Sequence, residues 1–510
     1  MKAIVIGSGM AGLTAAAYLA RAGHEVTVYE QFADIGGVTA TLRQDGYGWD
    51  LGPLYLEGFG PGEPAGEVLA ELGIAGQVRL ARADRGVAFP DFTLWKPAEY
   101  AGPYWRRERL KALFPAEASG LDRYYRFYDQ MMDLAALARR AERARGLAAL
   151  WLKGQILLAF SRVRTMKDWS AQQVLDHFFQ GPELKALYAG ILADFVVRPS
   201  QFQGLGIPLV NVENAFDRRI PLQLSPAGPR PSYHVVLGGC GQLVAAMAGV
   251  VRAGGGRMYT GVAVRRIVVE NGRAVGVLLS DGQRDAADMV VASGGARETF
   301  FGLVGREQLP DSFAARVADV PLMESVLMVH TSIDYDPTAY QPGALCYYYG
   351  TYDIEGGVGR CQRGEYHEGR EGFLIYVPSL HSPELAPPGR HAVTVYTIAP
   401  DRLREGSWVE RREELADKLL AEAERVLPGL RTSTGPRVIL TPDDWRARTH
   451  LEHHAFGGCA PVMGKRGAPH RTPIAGLWFV GAQSESAGGV ANVMAGARKT
   501  VRLIEKEIQR

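Results

Sequence analysis

The sequence is poor in cysteine, nearly neutral in charge, and without a long apolar run. Its four cysteines, Cys240, Cys346, Cys361 and Cys459, are scattered, and no two stand at CxxC spacing. That excludes a disulfide scaffold, offers no pattern for a zinc site or redox dithiol, and fits a reducing cytosol. A formal net charge of +2 over 510 residues leaves no electrostatic footprint for nucleic acid. No stretch reaches the ~18 consecutive apolar residues that span a bilayer. The N-terminal apolar run is interrupted by glycines and does not read as a signal peptide. What remains is a globular chain long enough for two domains.

The most informative stretch comes first. Ala3 to Ile6 is a short β-prone run, and Gly7-x-Gly9-x-x-Gly12 follows at once. A helix-prone run over 13–22 ends at Gly23, and 24–29 predicts a second strand with Glu30 at its end. This is a βαβ unit carrying the dinucleotide fingerprint. Gly7 allows the turn, Gly9 admits a pyrophosphate to the backbone, and Gly12 lets helix and strand pack. Met10 and Ala11 open a helix whose N-terminal N–H groups and dipole favour phosphate. Glu30 is placed to accept ribose hydroxyls. A glycine pair, Gly36-Gly37, comes next, with Thr39 beyond it, then a hairpin from Arg43 to Asp50-x-Gly52-Pro53. Glycines there permit close approach of the backbone to an extended cofactor.

These motifs resemble the start of the FAD-dependent amine oxidase superfamily, in its carotenoid (phytoene) desaturase and isomerase branch. The resemblance implies an α/β fold: a discontinuous Rossmann-like FAD-binding domain with a second α+β substrate domain. It implies non-covalent FAD, held by Gly7, Gly9, Met10, Ala11, Gly12 and Glu30, then by Gly36, Gly37, Thr39, Gly52 and Pro53. That family often has Arg or Lys after the glycine pair. Here the residue is Val38, and Arg43 is the candidate to replace the charge.

The rest of the chain follows this layout. Helical periodicity predicts helices over 121–137 and 171–192. Between them, at about 139–167, an apolar patch with Trp151 is flanked by arginines and Lys167. It suits a helix in a membrane interface, or equally a core helix with solvated basic ends. Residues 233–300 return to α/β style, with a hairpin turn at Asn271-Gly272; the resemblance sets Val264 against the adenine. Strands rich in aromatics at 345–352 and 373–377 could line a cavity or simply fill a sheet. The expected division is 1–100, 230–300 and 455–510 for FAD, with 101–229 and 301–454 for substrate.

The C-terminal stretch Gly481-Ala482 to Gly489-Val490 resembles the family's closing motif, which sets a helix against the flavin pyrimidine. Ser484, Glu485, Ser486 and Ala487 depart from the family residues there. Glu485 is the first candidate for a general base. His453 and His454, with His450, form an H-x-x-H-H cluster expected near substrate; no acid pattern supports metal, and none is expected. The reading is an FAD-dependent oxidoreductase that desaturates, saturates or isomerises an apolar, polyene-like (carotenoid- or retinoid-like) substrate. Only one dinucleotide site is visible, so oxygen or a quinone is the expected electron acceptor. The alternatives are an amine oxidase-type enzyme acting on a C–N bond, and a prenyl-binding protein without flavin, as in Rab GDP-dissociation inhibitors. A cytoplasmic protein in peripheral contact with the inner face of the membrane is the localisation these features imply.

Overall fold

The computed structural model describes residues 1–451 and 458–509. Its organising element is a five-stranded parallel sheet in the order 257–259, 25–29, 2–6, 289–293, 477–480. Strands 2–6 and 477–480, from opposite ends of the chain, thus flank strand 289–293 in one sheet. The two central strands are buried and apolar, as parallel strands covered on both faces must be. Helix Met10–Arg21 follows the first strand and buries ten of its twelve residues. It packs against helices Gly241–Ala253 and Val490–Ile508. Gly23, at φ +85°, ends it in the left-handed region that only glycine enters freely. The other face is covered by the antiparallel strands Val264–Glu270 and Arg273–Leu279. Asn271 and Gly272, at φ 51° and 72°, make the two-residue turn between them.

A second, seven-stranded sheet runs in the order 438–440, 325–333, 391–399, 372–376, 345–349, 86–89, 92–94. Its 86–94 hairpin, grouped by sequence with the nucleotide segment, is paired into this sheet through Tyr347 and Val87. Side chains alternate between its faces, as strand geometry requires. Leu327, Val329, Ile375 and Val395 pack on helix Trp408–Ala423. Met328, Leu374, Tyr376 and Tyr396 pack on Leu51 and Ala40 from the Asp50 hairpin. The second face therefore looks toward the nucleotide-binding segment.

Helices from 105 to 195 form a third layer around a large aromatic core. The expected helix over 171–192 is three pieces: Ala171–Phe178, Pro182–Ala189 and a 3-10 turn Gly190–Phe195. Pro182 has no N–H to give, so it can only begin a new helix. Helix Gly146–Ser161 holds the apolar patch and buries Leu152 alone. Leu147, Trp151 and Leu157 are 84%, 58% and 70% exposed. That removes the core-helix reading of this segment. Among the described residues, no helix is long and apolar enough to cross a membrane.

Candidate functional site

At the nucleotide end each fingerprint glycine has its own steric reason. Gly7 sits at φ +90°, and a Cβ there would strike the Ser293 carbonyl oxygen at 2.7 Å. A Cβ on Gly12 would stand 2.0 Å from the Gly7 oxygen. Gly9 is different: nothing lies within 4 Å of where its Cβ would be. The space beside it is open. The helix that starts at Met10 has no side-chain cap and no acid in its first turn. Its first N–H groups, including those of Ala11 and Gly12, are left for a ligand. Gly36, at φ +106°, donates its N–H to the Ser8 oxygen (3.1 Å), and Gly37 adjoins Gly9. Thr39 is buried behind them and donates its N–H to Gly36 O.

Glu30 is buried and oriented by this loop. Its Oε2 accepts from Ser8 N–H at 2.8 Å and from the Ser8 hydroxyl at 2.6 Å, and Oε1 accepts from Phe32 N–H at 2.9 Å. Oε1, with a single donor, retains acceptor capacity for a hydroxyl. Val262 N–H donates to Glu30 O, which brings the start of the Val264 strand to the same edge. An open glycine face, an uncapped helix end and a fixed carboxylate fit the pyrophosphate and ribose of FAD.

At the other end, the Asp50-x-Gly52-Pro53 turn is locked onto the Gly238–Gly241 loop. Asp50 Oδ1 accepts from Cys240 N–H (2.7 Å) and Thr41 Oγ1 (2.6 Å), and Gly241 N–H donates to Thr41 Oγ1 (2.7 Å). Asp50 thus satisfies the N-terminus of helix Gly241–Ala253. Burial pushes its carboxyl up, against those hydrogen bonds. A Cβ on Gly52 would meet Val38 O at 2.6 Å, so Val38 fills the corner. Arg43 does not replace the missing charge at the glycine pair. It reaches away, and its Nη2 donates to Gly238 O at 2.9 Å.

In the closing motif Gly481 turns at φ +120°, and Ala482 O accepts from Cys459 N–H at 3.0 Å. Gly489, at φ +95°, precedes helix Val490–Ile508, which again has no side-chain cap and no acid in its first turn. Burial pushes the Cys459 thiol up to about 12, so it carries little thiolate. Glu485 is one-third exposed, and its Oε2 faces Arg316 Nη2 at 3.8 Å. This is the setting of a surface ion pair rather than of a desolvated base. His453 and His454 lie outside the described residues. Among the described residues, no group of His, Cys, Asp or Glu is arranged to hold a metal.

The structure also brings together residues that motif reading missed. Asp194, from the 3-10 turn, accepts from the Tyr347 hydroxyl at 2.6 Å and the Tyr396 hydroxyl at 3.3 Å. With Tyr349, Leu374 and Ile398 they line a cavity on the face of the mixed sheet that looks toward the Asp50 hairpin. The buried Arg85 guanidinium lies over Phe216 (5.0 Å) and Tyr347 (5.2 Å). Burial pushes Asp194 up to about 6, against the pull of its two tyrosines and Arg85. Tyr348, from the same strand as Tyr347, packs on the opposite face with helix Trp408–Ala423, as does Phe373, which also borders the cavity. The aromatic strands therefore do both things the sequence allowed, one on each face. Only the period-2 alternation hints at this, and it needs the position of the sheet to be read.

The chain is similar to known proteins over most of its length. The profile of the flavin containing amine oxidoreductases matches residues 10–504. A lycopene-forming phytoene desaturase of a Paracoccus strain is 24% identical, over 99% of this chain and 97% of its own. The chloroplastic prolycopene isomerase of Daucus carota is 25% identical, over 94% of this chain and 76% of its own. An oxidoreductase of Methanosarcina mazei has the same fold, with a TM-score of 0.61 at 20% identity, covering 98% of this chain and all of that one. The chain belongs to the flavin-containing amine oxidoreductase family and is an FAD-dependent oxidoreductase.

Proposed function

We propose that this enzyme desaturates, saturates or isomerises an apolar, polyene-like substrate. The observation that carries the reading is the cavity beside the mixed sheet, where Tyr347, Tyr349, Leu374, Tyr396 and Ile398 surround Asp194, with His367 and Glu371 also on its wall. The relatives named phytoene desaturase and prolycopene isomerase support it. FAD, when bound, supplies the hydride chemistry that side chains lack. The fingerprint loop and Glu30 would hold its pyrophosphate and ribose, and the uncapped start of helix Val490–Ile508 its ring portion. Tyr347, Tyr349 and Tyr396 give a conjugated chain flat apolar surface to lie against. Asp194 is the wall residue that can hold or release a proton near neutral pH, with its oxygens fixed by two tyrosine hydroxyls. The exposed helix Gly146–Ser161 would rest in a membrane interface, where such a substrate dissolves. Oxygen or a quinone would take the electrons.

The test is anaerobic incubation of the holoenzyme with phytoene or prolycopene in liposomes. Bleaching of the flavin or a shifted carotene spectrum is expected. No change with any carotene, together with rapid bleaching by a diamine, would overturn the reading. One observation favours that second reading, amine oxidation: a buried carboxyl among tyrosine rings also suits a cation.

A further inference from the structure

The glycine pair is followed by Val38, so the loop beside the fingerprint brings no cation of its own. Arg43, the nearest basic residue downstream, is committed to the Gly238 carbonyl. A cation nevertheless reaches this loop from the far end of the chain. Arg448, in helix Pro442–Thr449, donates from Nε to Gly37 O at 2.9 Å across 411 residues. Its guanidinium lies over the Phe32 ring at 4.5 Å. Gly37 adjoins Gly9, whose outer side is open.

Arg448 is also underused. Its one hydrogen bond among the described residues leaves both terminal nitrogens without a partner, and no described carboxylate lies within ion-pair distance. Glu30 and Asp34 act on it only at longer range, and burial costs its charge more than they return. A half-buried guanidinium is expensive unless something anionic completes its fork. Phe32 and the Gly37 carbonyl fix its direction and neutralise nothing.

We infer that Arg448 is the cation for the FAD pyrophosphate in this protein, delivered by helix Pro442–Thr449 in place of a basic residue after Gly37. The inference rests on FAD binding at the fingerprint. It goes further by assigning the charge to a residue that no nucleotide motif contains. It also ties cofactor retention to the 442–449 segment, which packs on the mixed sheet.

The test is release of FAD from the holoenzyme on dilution, followed by flavin fluorescence at low and high salt. Wild type should release FAD slowly, and faster as salt rises, because salt screens a cation–phosphate contact. Arg448→Met should release it about 10–100-fold faster, the scale of a lost charge-assisted contact, and with little salt dependence. Arg448→Gln keeps a donor for the Gly37 carbonyl without charge, and should behave like Arg448→Met. Arg448→Lys should recover part of the retention and the salt dependence. Wild-type release from Arg448→Gln would make the residue a loop brace and overturn the inference. So would faster release from Arg43→Met with none from Arg448→Met. If Arg448→Met does not fold, the Gln and Lys variants decide. Wild type that holds no flavin would instead sink the FAD reading itself.

Discussion

Ala487 occupies a position that needs glycine. Its φ is +63°, in the left-handed region, where a Cβ costs roughly 1–2 kcal/mol. The family motif has glycine there, so the strain belongs to this sequence. Ala487→Gly should raise unfolding stability in urea by roughly 0.5–1 kcal/mol, after the entropy that glycine adds to the unfolded chain. No gain would mean that the loop relaxes. Asp194 carries a pH signature. Its folded pKa of about 6 lies above its unfolded value, so the native state binds the extra proton. Stability is therefore full below about pH 4 and falls as pH rises to about 6, by up to about 3 kcal/mol for two units. Asp194→Asn should flatten that part of the stability curve in urea titrations at stepped pH. A slope identical to wild type would assign it to another group. Glu485, beside Arg316 and exposed, should tolerate Glu485→Gln with flavin reduction by substrate nearly unchanged in stopped flow. A roughly 100-fold loss would restore it as a base.

At the scale of elements, the helix Gly146–Ser161 is the anomaly. It is apolar around its circumference, yet it buries only Leu152 fully, packs Phe160 on the core, and leaves Leu147, Leu150, Trp151, Leu157 and Leu158 exposed. An isolated soluble helix does not present such a surface without a partner phase. Arginines at both ends suit anionic headgroups. Liposomes with anionic lipid should float the wild type and not a Leu150→Glu, Trp151→Glu variant. Leu150 and Trp151 are exposed, so the variant should unfold at the same temperature as wild type. Equal flotation would remove the helix from membrane binding. Leu152, which a sequence view cannot tell from its neighbours, is the residue to leave alone.

At the scale of the molecule, the proposed cofactor site draws on segments far apart in the chain. The Asp50 turn and the Gly238–Gly241 loop interlock through Cys240 N–H to Asp50 Oδ1 and Gly241 N–H to Thr41 Oγ1, and the 481–490 motif is tied instead to Cys459 and Ala468 by backbone hydrogen bonds. None of these supplies a reactive thiol, since Cys240 is buried and the Cys459 thiol is pushed to about 12. Acid precipitation of the yellow protein should leave all the flavin in the supernatant. Colour remaining in the pellet would show a covalent link.

The sequence by itself determined the nucleotide half. The strand, the three glycines and Glu30 are adjacent in the chain, and their geometry is local: a turn, a helix start and a strand end. The hairpin turn at Asn271-Gly272 was legible for the same reason. The family followed from these motifs together with the closing one. Tertiary structure decided what depends on long-range placement. Which face of an aromatic strand meets the cavity depends on where the sheet sits, so Tyr347 and Tyr348 part company. Asp194 becomes a candidate proton carrier only because the 3-10 turn at 190–195 drops it between two tyrosines from distant strands. Whether an apolar helix is core or exposed is a question of neighbours, and 146–161 has them along one side only. A charge missing from a local motif can come from anywhere in the chain, because electrostatics depends on distance in space and not in sequence.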